Sequence, residues 1–242
     1  MSVATAPHRP IVYGHRGASA HARENTVEAF ALAIEHGADG VELDVRRSRD
    51  GALIIHHEDR AAPGSTPFIE QDLRTIKAAT PWVPTLDEAW RAIGPTALLN
   101  IEIKNDIGAA DFDKSRRIAP DLVRWIEDNA ATDRVMMSSF DGIVLSSVKE
   151  RNPAITTGLL ATASVDPASA IEWALRDGHA SVNLPAPVVL ADATRIVDAA
   201  RPLRVLVWTV NDPGTALALA DAGVDGIFSD DPGLMVATFA GV

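Results

Sequence analysis

No cysteine occurs in the 242 residues, so neither disulfides nor thiol chemistry is available to this chain. That absence fits a reducing compartment. Basic residues are in deficit, with 22 Lys and Arg against 33 Asp and Glu and a formal net charge of -11. Nucleic-acid affinity comes from clustered cations, so the balance argues against a nucleic-acid partner and against adhesion to an anionic membrane. A phosphate ligand remains compatible with it, because a site's few cations act locally. Long apolar runs are also missing. The longest, residues 203–210 and 97–103, are interrupted by charge or far too short to span a bilayer. Residues 1–10 are polar and proline-containing, without the apolar stretch of a signal peptide. The expectation is a cytoplasmic protein with no stable membrane anchor. Linkers and shifts in composition are lacking as well, which points to one domain over residues 1–242. A content of 47 % hydrophobic and 23 % charged residues suits a single sizeable core.

What is present is an alternation of short β-rich runs with longer helical patterns. Residues 11–13 read as a strand, 26–36 as a helix closed by Gly37, and 41–45 as the next strand. A helix over 85–93 precedes a strand over 97–103, and a helix over 114–129 follows it. Strand-helix pairs continue at 134–138 with 141–151, 156–160 with 167–177, 180–184 with 189–200, and 204–210 with 213–222. A strand over 224–228 and a helix from Pro232 complete the series. The run 53–57 is different, because only residues 46–52 separate it from the preceding strand. A parallel crossover needs about a dozen residues or more, whereas Asp50-Gly51 is a tight-turn signal. It therefore reads as an antiparallel hairpin partner of the second strand. Eight parallel β/α units remain, the count of a single TIM (β/α)8 barrel, with a short insertion at about 59–83. The alternative is a doubly wound open sheet, which the lack of a G-x-G-x-x-G after the first strand disfavours.

Residues two apart on a strand share a face. With Val41, Leu43 and Val45 toward the helices, Glu42 and Asp44 point into the barrel. With Leu99, Ile101 and Ile103 outward, Asn100, Glu102 and Lys104 point in. Inward carboxylates are costly unless paired, hydrogen-bonded or bound to a metal. Three hard oxygen donors suit Mg²⁺ or Ca²⁺ better than zinc. The alternative, an exposed strand with alternating charge, would have to occur on two adjacent strands at once. His15 follows strand one between Gly14 and Gly17, and His57 ends the hairpin run on the alternation of Leu53 and Ile55. A lone histidine is more often a solvated or core residue, but an imidazole titrates near neutrality and suits acid-base work. Arg16 offers a bidentate fork for phosphate oxygens and Lys104 a point charge, unless both are ordinary solvated cations.

The chain resembles the glycerophosphodiester phosphodiesterase family. The likeness is carried by His15-Arg16-Gly17-Ala18, Glu24-Asn25-Thr26, the run from Gly37 to Val45, Asp50-Gly51 and Ile55-His56-His57. It continues through Pro84-Thr85-Leu86, Ile101-Glu102-Ile103-Lys104, Ser139-Phe140, Trp208-Thr209-Val210-Asn211 and the run from Gly223 to Asp230. The resemblance implies a catalytic pair His15 and His57. It implies Glu42, Asp44 and Glu102 as ligands of one divalent cation, Mg²⁺ or Ca²⁺ with Mn²⁺ also admissible. Arg16 and Lys104 would bind phosphate, and Trp208 would line the substrate pocket unless it is a core tryptophan. The implied partner is a small-molecule glycerophosphodiester, cleaved to glycerol 3-phosphate and an alcohol. Arg23 departs from the usual proline before Glu-Asn-Thr, and Glu58 from the usual aspartate after the second histidine. The short insertion, read as a lid, implies tolerance of small head groups and poor use of long acyl lipids. Two rival readings share these parts: a lysophospholipase D, and a non-catalytic phosphate-binding barrel.

Overall fold

Residues 9–241 are described by a computed structural model. Eight parallel strands close into a barrel: β1 (Ile11–Gly14), β2 (Gly40–Arg47), β4 (Leu98–Ile103), β5 (Val135–Ser139), β6 (Thr156–Leu160), β7 (Ser181–Pro185), β8 (Arg204–Trp208) and β9 (Gly226–Ser229). Closure is made by β1 pairing with β2, where Tyr13 faces Gly40 and Gly14 faces Val41. A Cβ at position 40 would lie 2.6 Å from the Leu98 carbonyl oxygen, so this seam needs glycine. The ninth strand, β3 (Leu53–Ile55), lies outside the barrel, antiparallel on β2. That is the expected hairpin.

Helices α1 (Val27–Glu35), α3 (Leu86–Ile93), α4 (Ile118–Asp128), α5 (Gly142–Arg151), α6 (Pro167–Arg176), α8 (Ala193–Ala200), α9 (Pro213–Asp221) and α10 (Pro232–Ala240) alternate with the strands, together with the short α2 (Leu73–Ala79) and α7 (Ala186–Leu190). Their starts are written locally. Asp166-Pro167, Asp212-Pro213 and Asp231-Pro232 each place an aspartate that accepts a backbone N–H before a proline in the first turn. Thr85 and Glu88 form a reciprocal capping box. The main core lies between barrel and helices, built from residues such as Val41, Leu43, Val45, Leu99, Ile101 and Ile103. Inside the barrel, Tyr13, Met136, Leu206 and Phe228 form a separate apolar plug, with Tyr13 stacked on Phe228 at 5.2 Å.

Several boundaries depart from expectation. The helix expected from Lys114 starts at Ile118, because the Asp113 carboxylate draws in the N–H groups of Ser115 and Arg117 and Arg116 adopts φ 50°. The expected helix 189–200 is two helices, since Asp192 between them is non-helical at φ -161°. Strand β3 stops at Ile55, two residues before His57, as the Ile55 N–H turns to the Pro84 carbonyl. The insertion 59–83 contains a 3-10 turn (Phe68–Glu70) and α2, which pack Phe68, Ile76 and Val83 on Ile54.

Candidate active site

Adjacent barrel strands bring the inward residues into register. Asp44 on β2 faces Glu102 on β4, and Glu42 faces Asn100. Glu102 is the penultimate residue of β4, near the carboxyl end, where barrels of this kind place their chemistry. A cavity of about 250 Å³ opens there, lined by His15, Arg16, Glu42, His57, Glu102 and Lys104, with Trp208, Phe140, Leu160 and Phe228 as its apolar wall. Asp44 is not on that surface. It is 1 % exposed and paired with Arg16 and Lys104, yet one oxygen from each of Glu42, Asp44 and Glu102 lies within 4.8 Å of the others. No residue of the insertion 59–83, expected to act as a lid, is among the residues lining the cavity.

The charges form a network. Burial opposes ionisation of Asp44, but Lys104 at 3.3 Å and Arg16 at 3.4 Å overcome it and hold the carboxyl at about 2. Asn25, at φ 57°, donates from Nδ2 to Asp44 Oδ2 at 2.7 Å. Lys104 is penalised by burial too, yet Glu102 at 2.6 Å and Asp44 keep its ammonium charged well above the usual range. Glu42 has no cation of its own. Burial and then the Asp44 charge push it up to about 8, and the Glu102 carboxyl is raised for the same two reasons. Glu42 Oε2 accepts the Arg16 backbone N–H at 2.8 Å, whereas Oε1 is buried with no partner among the described residues. That N–H is aimed by Arg16 at φ 57° and by Gly17, where a Cβ would strike the Ala29 backbone at 2.6 Å. Crowded carboxylates with an orphaned oxygen fit a small hard dication.

Each histidine in the cavity is anchored by a carboxylate. His15 Nδ1 lies 2.7 Å from Asp230 Oδ1, and His57 Nδ1 lies 2.9 Å from Glu58 Oε1. An ionised carboxylate only accepts, so each Nδ1 carries hydrogen and Nε2 is left for proton exchange. Burial would lower the His15 value, but the bond to Asp230 and the charge of Glu42 raise it above the ordinary imidazole. The bond to His15 in turn holds Asp230 at about 2. His57 goes the other way, lowered by burial against the opposing pull of Asp44. His56 takes the opposite face and packs on Phe68 and Trp82. Trp208 donates from Nε1 to the Asn183 carbonyl at 3.3 Å and meets Phe140 edge-on at 5.9 Å.

The structure therefore gathers seven of the eight sequence-derived residues around one cavity and buries the eighth, Asp44, against Arg16 and Lys104 of its lining. Arg16 and Lys104, expected to face phosphate, also pair with these carboxylates. Three residues were missed. Asp230 is far from His15 in sequence, although Ser229-Asp230 ends one of the motif runs. Asn25 sits in another. Arg46 extends the inward alternation of Glu42 and Asp44 by one step, a signal that could have found it. Its guanidinium donates to the carbonyls of His56 at 3.1 Å and His57 at 3.2 Å, and to buried Asp111.

A closed β/α barrel with anchored imidazoles, buried cations and clustered carboxylates at its strand ends is the architecture of a barrel hydrolase. The model of the glycerophosphoryl diester phosphodiesterase family matches residues 15–234, and the chain belongs to that family. It is thus a phosphoric diester hydrolase. A glycerophosphodiester phosphodiesterase of Caldanaerobacter subterraneus is 32 % identical over 248 residues, covering 94 % of this chain and 97 % of the relative. The crystal structure of glycerophosphodiester phosphodiesterase from Thermotoga maritima superposes with a TM-score of 0.79 at 29 % identity, covering 95 % and 98 % of the two chains. An Oleispira antarctica phosphodiesterase, solved in complex with the product sn-glycerol-3-phosphate, gives 0.82 at 28 % identity, covering 96 % and 97 %. Among the described residues, no helix is long and apolar enough to cross a membrane.

Proposed function

We propose that this chain hydrolyses glycerophosphodiesters to glycerol 3-phosphate and an alcohol in the cytoplasm, using one divalent cation and two histidines. The observation that carries this reading is the presence, in one cavity, of anchored His15 and His57 with Glu42 and Glu102, whose carboxylates cluster with that of buried Asp44. Mg²⁺ or Ca²⁺ is the expected cation, with Mn²⁺ also accepted, and the three carboxylates would hold it. A bound cation supplies Lewis-acid polarisation of a phosphate oxygen. Arg16 and Lys104 line the same cavity and stabilise charge on the non-bridging oxygens as the transition state forms. His57, with its lowered value, is the acceptor of the nucleophile's proton through Nε2. His15, with its raised value, donates a proton to the leaving alkoxide. Trp208 and Phe140 form the apolar wall against which the glycerol half rests.

A second reading, lysophospholipase D, has one observation in its favour. Phe140 and Leu160 line both this cavity and a neighbouring depression walled by Leu159, Val165 and Trp173, which offers an apolar path for a longer chain. The test is a kcat/KM series over glycerophosphocholine, glycerophosphoethanolamine, glycerophosphoglycerol and lysophosphatidylcholine. Similar values for the first three and poor use of the lysolipid support the proposal. A strong preference for the lysolipid moves the assignment to the second reading, and no turnover of any diester defeats both.

A further inference from the structure

Next to Asp230 in the chain lies a member of another group of ligating side chains, which the proposed reaction does not use: His21, His36 and Asp231. They come from three segments. His21 is in the turn after β1, His36 caps the end of α1, and Asp231 caps the start of α10. One ligating atom from each lies within 4.8 Å of the other two. His21 Nε2 is 3.0 Å from Asp231 Oδ2, and the two imidazoles meet edge to face with centroids 5.4 Å apart. An ordinary ion pair accounts for His21 and Asp231 but leaves His36 unexplained. Among the described residues, buried His36 Nδ1 has no hydrogen-bond partner, and its ring is packed where a Cβ at Gly233 would approach within 3.2 Å.

We propose that His21, His36 and Asp231 form a second cation site, chemically distinct from the carboxylate cluster and suited to a borderline ion such as Zn²⁺. Two imidazoles and one carboxylate are the donor set that zinc, cobalt and nickel prefer, whereas Mg²⁺ and Ca²⁺ favour all-oxygen sites. Tetrahedral ligands at zinc distances stand roughly 3.4 Å apart. The present separations, up to 4.8 Å, must therefore contract by about 1.4 Å at most to reach it. Three protein donors leave a fourth position for water. Occupancy would tie the β1–α1 turn to the β9–α10 junction, where the Ala20 N–H already donates to the Asp230 carbonyl at 3.0 Å. Asp230 is the anchor of His15, so a cation here braces that anchor without entering the cavity.

The test uses the full-length, untagged protein, stripped of metal and then saturated with Mg²⁺ to fill the carboxylate cluster. Zn²⁺ binding is followed by calorimetry, and Co²⁺ binding by visible absorption. His21→Ala removes a side chain that is 44 % exposed, so no core void results. His36→Gln is the second variant, and circular dichroism verifies both folds. The wild type should take up one equivalent of Zn²⁺ despite Mg²⁺ and show a Co²⁺ d–d band. Each variant should bind Zn²⁺ at least tenfold more weakly, about 1.4 kcal/mol, and lose the band, with Mg²⁺-supported turnover unchanged. Equal Zn²⁺ affinity in wild type and variants, or displacement of the wild-type Zn²⁺ by Mg²⁺, would overturn the proposal. Should His36→Gln not fold, His21→Ala decides alone.

Discussion

Replacing Arg46 separates what the barrel needs for stability from what it needs for catalysis. The Arg46 and Asp111 side chains are 4 % and 3 % exposed and pair with each other beneath the cavity rim. The same guanidinium holds the carbonyls of His56 and His57, just beyond the end of β3, where the His56 N–H still donates to the Asp44 carbonyl at 3.0 Å. Arg46→Leu leaves Asp111 buried and uncompensated, a situation that costs about 3–5 kcal/mol. The double variant Arg46→Leu with Asp111→Leu removes both charges, so at least half of that loss should return. Catalysis should not return with it. A displacement of about 1 Å in a catalytic group costs on the order of 10²-fold, and neither variant retains the fork that holds His57. Urea midpoints would measure the stabilities, and kcat on glycerophosphocholine the chemistry. The expected pattern is a restored midpoint with kcat still about 10²-fold down. A double variant with wild-type kcat would refute the positioning role, and a single-variant loss under about 1 kcal/mol would refute the buried pair.

Other outcomes follow from the same geometry. His15→Ala and His57→Ala should stay folded and lose about 10²- to 10⁴-fold in kcat, while His56→Ala is much milder because its ring packs on Phe68 and Trp82; steady-state kinetics on the three variants would check this. Glu42 is raised from 4.5 to about 8, so its protonation stabilises the metal-free fold at low pH, and that contribution is lost as pH rises through about 8. The metal-free Tm should fall between about pH 4.5 and 8, and a saturating divalent cation should flatten the profile; a Tm rising across that window without metal would count against the buried carboxyl described here. Since no residue of 59–83 lines the cavity, kcat/KM for the three water-soluble diesters should agree within about tenfold, roughly 1.4 kcal/mol of discrimination.

Much of this was legible in the sequence because barrel strands alternate strictly. Glu42, Asp44, Glu102 and Lys104 were assigned to the interior from the apolar residues between them, and β2 and β4 place them so. The hairpin followed from Asp50-Gly51 and a spacing too short for a crossover. Legibility failed where tertiary contacts override local pattern. The Asp113 turn delays α4, and a non-helical Asp192 splits a run that reads as one amphipathic helix. Asp230 as the partner of His15 depends on barrel closure, which brings β9 beside β1, and no local signal encodes that pairing. The insertion 59–83, expected to act as a lid, packs Phe68, Ile76 and Val83 on Ile54.

If the carboxylate cluster beside His15 and His57 makes this barrel a metal-dependent diesterase, as proposed, turnover must follow the cation. Following glycerophosphocholine by ³¹P NMR tests it most directly, before chelation, after exhaustive chelation with EDTA and dialysis, and after re-addition of Mg²⁺ or Ca²⁺. The diester signal should give way to glycerol 3-phosphate, stop doing so in the stripped protein, and resume when the cation is restored. Full turnover by the stripped protein, or phosphocholine as the phosphorylated product, would contradict it.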